Sequence, residues 1–115
     1  MTVKEFYEDI RGDYVGVIER MSSDDIVKMF IVKFLGDKNM NMLEAAVENR
    51  DVSGAFTYAH ALKGLVGNFG FSILYNNLCE YVEELRPQTQ MPDEAAFEKI
   101  KEQYNFIVEK AKQIN

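Results

Sequence analysis

The two prolines of this chain, Pro87 and Pro92, lie in one short stretch, Arg86-Pro87-Gln88-Thr89-Gln90-Met91-Pro92. Proline breaks a helix interior by removing an N–H and by clashing with the preceding turn. With both prolines confined there, the long segments on either side are free to be helical. Most of what punctuates them is capping chemistry. Thr2-Val3-Lys4-Glu5 has the form of a capping box, and Ser22-Ser23-Asp24-Asp25 opens a second helical signal.

Ile26 to Leu35 is rich in apolar residues and stops at Gly36-Asp37, where the glycine suits a left-handed cap. Its β-branched residues (Ile26, Val27, Ile31, Val32) make a strand the rival reading. With no second strand in the chain to pair with, helix is preferred. Asn39 to Asn49 gives the next helix. Asp51 caps one from about Val52 to Asn68, and Gly70 separates it from one running from about Phe71 to Arg86. Asp93 caps the last, whose Phe97, Ile100, Tyr104, Ile107, Val108 and Ala111 form a broad apolar stripe. Short connections between helices of similar length predict an all-α chain: an up-and-down antiparallel four-helix bundle with extra N-terminal helical segments. We expect a single domain over residues 1–115, with the bundle at about 24–114 and the helical extension at about 2–22.

Composition narrows the function. The net charge of −6 and pI near 4.8 oppose nucleic-acid binding, which needs a basic face, and oppose docking on an anionic membrane. No apolar run is long enough to span a bilayer, and the N-terminus lacks the pattern of a secretory signal, so a cytoplasmic location is expected. One cysteine, Cys79, leaves no internal disulfide, and no metal-ligand cluster is evident, so no metal or cofactor is expected on this chain. Cys79 reads as a core-edge residue, with redox chemistry as the alternative. The methionines read as core filler, although Met40 and Met42 could sit at a partner surface.

The chain has one histidine, His60, in Ala59-His60-Ala61-Leu62-Lys63-Gly64-Leu65-Val66-Gly67. A glycine inside a helix costs about 1 kcal/mol relative to alanine, so Gly64 and Gly67 call for a reason. Taking Leu62 as the core direction, Ala55, Ala59, Val66 and Phe69 fall within roughly 60° of it at 100° per residue. On the same projection His60 and Gly64 lie near ~160°, Gly67 near ~140°, Phe56 near ~120° and Lys63 near ~100°. His60 is therefore expected on the outside of the bundle, beside two missing side chains, a lysine and an exposed aromatic ring. From Val52 to Cys79, Lys63 is the only Asp, Glu, Lys or Arg, where a chain that is 28% charged would carry about eight. A face so poor in charge suggests a protein-docking patch built on Phe56, Gly64 and Gly67. The alternatives are an idle surface histidine, a solvating lysine, and glycines for close helix packing, the last opposed by the projection.

The run His60-Ala61-Leu62-Lys63-Gly64, with Gly70 ten residues beyond the histidine, resembles the signature of the histidine-containing phosphotransfer (HPt) domains of two-component phosphorelays. The acidic opening at Asp51 and the following Leu74, Leu78, Cys79 and Glu83 extend the resemblance over roughly residues 24 to 112. It implies a four-helix bundle in stand-alone form, with His60 as phosphoacceptor and Lys63 steadying the phosphoryl oxygens. Gly64 would leave room for the partner, and Gly70 would form the turn. The chain departs from many members in having Leu65 and Val66 where a small residue follows the glycine. The implied partners are a response-regulator receiver domain, a hybrid histidine kinase, or both. Mg²⁺ is expected on the receiver, and this chain acts as a monomeric carrier without kinase activity of its own. The alternative from another class is a non-phosphorylated helical adaptor that docks receivers or other signalling proteins. A metal or hydrolytic enzyme built on His60 lacks a second ligand or an orienting acid.

Overall fold

The computed structural model describes residues 1–115 as seven helices without strands: α1 Val3–Ile10, α2 Tyr14–Met21, α3 Asp24–Leu35, α4 Asn39–Glu48, α5 Val52–Asn68, α6 Ser72–Leu85 and α7 Glu94–Ala111. The expected caps are in place. The Thr2 hydroxyl accepts the Glu5 N–H at 3.1 Å while the Glu5 carboxylate accepts the Thr2 N–H at 2.9 Å. Ser23, Asp51 and Asp93 each take a first-turn N–H on a side-chain oxygen. The segment with the strand rival is helical. Its end differs from expectation, because Gly36 has φ −94° and ψ 0° and is not left-handed. Two N–H to C=O bonds, Gly36 to Lys33 and Asp37 to Phe34, tighten the last turn instead.

The most extensive packing in the molecule is that of α5 against α6 and α4, followed by α6 against α7. α5 and α6 run antiparallel: Phe56 meets Arg86 at one end and Gly67 meets Tyr75 at the other. The core stripe anticipated on α5 is buried in full, with Ala55, Ala59, Leu62 and Val66 at 0% exposure and Phe69 at 3%. They meet Leu74, Leu78, Val82 and Leu85 of α6, all completely buried. Burying a leucine of this kind contributes about 1.5–3 kcal/mol, so this seam holds the central helices together. Met40 is core, whereas Met42 is exposed.

The N-terminal helices close one end of the bundle. Phe6 and Tyr7 of α1 join Phe34, Phe69, Phe71 and Tyr104 in an aromatic cluster with neighbouring ring centroids 5.1–6.1 Å apart. The α5–α6 turn is held by hydrogen bonds to three consecutive carbonyls. Arg20 donates to Asn68 O from Nε and Nη2, the Tyr7 hydroxyl donates to Phe69 O at 2.7 Å, and the Asp13 N–H donates to Gly70 O at 2.8 Å.

Burial raises the Tyr7 hydroxyl far above its ordinary value of 10.0, and burial pushes Tyr81 up to about 12. The unfolded chain therefore loses these protons first. Stability is complete below pH 10.0 and declines as the pH rises from there towards the folded-state values. Tyr7→Phe is expected to lower stability at neutral pH by about 1–2 kcal/mol, because a buried bond to a carbonyl is lost. It is also expected to flatten the alkaline decline in urea titrations. An unchanged alkaline profile would show that Tyr7 is not the group responsible.

Candidate functional site

Asp51 sets the start of α5 by accepting the Gly54 N–H at 3.0 Å. The helix then runs unbroken to Asn68, with His60 at its midpoint and exposed to solvent. The His60 imidazole stacks on Phe56, one turn earlier, with ring centroids 5.9 Å apart and planes 28° from parallel. One turn later, Gly64 is exposed, and a Cβ placed there would meet nothing within 4 Å. The surface beside the imidazole is therefore open on its C-terminal side and walled by an aromatic ring on the other. Lys63 is half-buried on the same helix.

Gly67 corrects the reading that both glycines clear space. A Cβ there would lie 2.9 Å from Cε1 and 3.0 Å from Cδ1 of Tyr75, so its missing side chain is the seat of that ring. α5 packs between two neighbours, which widens its contact arc beyond the stripe centred on Leu62. Gly67 sits at the α6 edge of that arc and serves close helix packing. Gly64, three residues earlier, faces outward.

Phe56 is half-buried where it was expected to be exposed. The Arg86 guanidinium lies 5.5 Å from its ring centroid. Arg86 in turn grips Glu83, with Nη2 to Oε1 at 2.9 Å and Nε to Oε2 at 3.1 Å. The Arg86 hydrogen bond, followed by the Arg86 and Lys63 charges, holds the Glu83 carboxyl below its ordinary value. Lys63 is thus not the sole charge of this neighbourhood, because α6 carries an acid and a second base to it. Helical projection of α5 alone had no means of finding them. The signal lay in the antiparallel register, which sets Arg86 opposite Phe56.

A second feature comes from α3, whose Ile26, Met29 and Phe30 remain 38%, 50% and 37% exposed. Ile26 and Phe30 line a groove with Arg20, Met21, Leu65, Asn68 and Phe69, so apolar surface continues from α3 onto the His60 helix. No three His, Cys, Asp or Glu side chains gather at one point, and no helix is long and apolar enough to cross a membrane. Cys79 is half-buried on α6 beside Tyr75.

Comparison with known proteins agrees with this arrangement. No curated protein and no solved structure matched the sequence. The family model described as Hpt domain matches residues 26–109, which takes in α4, α5 and α6 and most of α3 and α7. Such domains are helical bundles that serve histidine phosphotransfer in phosphorelays, working with receivers and kinases. Spanning most of the chain and centred on the helix that presents its one histidine, this match shows that the protein belongs to the Hpt domain family.

Proposed function

We propose that this protein is a phosphorelay intermediate that carries a phosphoryl group on His60 between receiver-domain aspartates. The observation that carries the reading is the solvent-exposed imidazole at the midpoint of α5, with open space over Gly64 one turn away. A neutral imidazole has a free ring nitrogen that acts as a nucleophile. That nitrogen attacks the phosphorus of an aspartyl phosphate. The N–P bond forms as the P–O bond to the carboxylate breaks, the carboxylate leaves with the electron pair, and the second ring nitrogen releases its proton to solvent. Return to another receiver reverses these steps.

Such transfer depends on in-line positioning and charge compensation more than on covalent assistance. Lys63 supplies positive charge for the phosphoryl oxygens, and Mg²⁺ would come with the receiver. The receiver would rest on the charge-poor face of α5 and on the adjoining apolar side chains of α3. The protein is in this reading a carrier, monomeric and cytoplasmic, with no catalytic metal of its own.

Phosphotransfer profiling against receiver domains of the same organism tests the proposal. Acid-labile, alkali-stable label should pass from at least one phosphorylated receiver to this protein. Failure of every receiver to label it overturns the reading. Gly64→Gln should reduce the transfer rate by about 100-fold through bulk in the docking surface, a misplacement effect of the usual size. Its unfolding midpoint should hold or rise, because the change removes a glycine from a helix interior and nothing lies within 4 Å of the new Cβ. Unchanged transfer by this variant would place the docking surface elsewhere. If His60 variants keep cellular function while Phe56→Asp loses it, the molecule is an adaptor.

A further inference from the structure

The cations around the site are not idle in the resting protein. Arg86 stands at the C-terminal end of α6, over the ring of Phe56, and Phe56 stacks on His60. Its guanidinium is already engaged by the Glu83 carboxylate through three contacts of 2.9–3.2 Å. The side chains of Arg86 and Glu83 are 51% and 65% exposed, so their pairing is screened by solvent and easily exchanged. Glu83 is also within reach of the charge of Lys63.

We propose that Glu83 is a resident counter-anion, which holds Arg86 beside the Phe56–His60 stack until a phosphoryl group on His60 takes its place. The proposal rests on the phosphocarrier reading of His60 and adds a device that sets how long the phosphate stays. A phosphohistidine brings about −1.5 to −2 charges and three acceptor oxygens, against the single charge of a carboxylate. Arginine binds either anion with the same planar fork, so the more highly charged one wins it. Because Glu83 competes, the loaded state is held less tightly than two free cations would hold it. That suits a group meant to be handed on. Glu83 acts through Arg86 and is a positioning residue, while Arg86 would touch the phosphoryl oxygens.

The test uses phosphoramidate, a small phosphodonor, so that no receiver is needed. The loaded protein is separated from the donor and its phosphohistidine is followed by ³¹P NMR as it hydrolyses. Glu83→Gln should lengthen the lifetime by about three-fold and Arg86→Gln should shorten it by a similar factor, the scale of one exposed charge-assisted contact. In the Arg86→Gln background, Glu83→Gln should lose most of its effect, and a purely structural pair, weakened alike by either change, would not give single variants of opposite sign. The Arg86 Nε–H resonance should also move on loading of the wild type, and stay fixed in His60→Gln treated identically.

Lifetimes equal in all variants, or a Glu83→Gln gain of the same size in both backgrounds, overturn the counter-anion role while leaving the carrier reading intact. If neither phosphoramidate nor any receiver loads His60, both fall. If phosphoramidate loads His60 and the variant lifetimes follow this pattern but no receiver exchanges phosphate with the protein, the counter-anion role stands and the relay reading fails.

Discussion

His60→Gln should abolish receiver-dependent phosphorylation while leaving the molecule folded. Glutamine is close to histidine in length and polarity, and its amide nitrogen is not nucleophilic, since the lone pair is delocalised into the carbonyl. No other histidine exists in the chain to take over. The cost to the fold is small because His60 is exposed and leans only on the face of Phe56. Exposed positions of this kind change stability within about 0.5 kcal/mol. The measurement is label from a phosphorylated receiver, read beside helical circular dichroism and a urea midpoint. Label on the folded variant would sink the assignment of His60 as acceptor, and loss of helix would mean the stack on Phe56 matters more than its exposure suggests.

The largest effect on stability is expected at Gly70, in the turn just beyond the C-terminal end of the same helix. Gly70 has φ +69°, a conformation that an L-residue adopts at a cost of about 1–2 kcal/mol. Space makes the substitution worse. A Cβ there would come 2.9 Å from the carbonyl oxygen of Asp13 and 3.3 Å from its Cβ, and a backbone oxygen is not free to swing away. Relieving that contact means moving α2 off the turn, which disturbs the Asp13 N–H to Gly70 O bond. Adding an overpacking penalty of about 1–3 kcal/mol, Gly70→Ala should lose about 2–4 kcal/mol in urea unfolding. For a domain of this size that corresponds to a fall in Tm of about 10 °C or more. A loss below about 1 kcal/mol would show that the turn relaxes without disturbing α2.

Much of this architecture was legible because it is written locally. Thr2 with Glu5, Asp51 and Asp93 are caps whose partners lie within three residues, so their spacing suffices. The buried face of α5 followed from periodicity, since Ala55, Ala59, Leu62 and Val66 recur at helical intervals. What a periodic pattern cannot carry is the identity of the neighbour. Gly67 and Tyr75 are joined only by the way α5 turns into α6, and the same register sets Arg86 over Phe56. Gly36 departs from the left-handed cap for another reason: a glycine after a helix permits that cap without requiring one, and here two short-range bonds close the turn. The uncharged stretch from Val52 to Cys79 was a true feature of the chain, yet the surface it forms is not free of charge, because Glu83 and Arg86 arrive from beyond it.

The clasp of α1 and α2 on the α5–α6 turn bears on the order in which the molecule is made. Tyr7 leaves the ribosome sixty-two residues ahead of Phe69, the carbonyl it must meet. Until that turn and α7 have emerged, Phe6, Tyr7 and Ile10 have only α2 and α3 to pack against. Helices made well before the turn are thus among the last to find their place, and closing so long a loop costs entropy that the assembled aromatic cluster helps to offset. During synthesis α1 is an amphipathic segment whose apolar face awaits its partner, the state in which chaperones and proteases meet a nascent polypeptide. A lesion in the turn, as at Gly70, would prolong that wait.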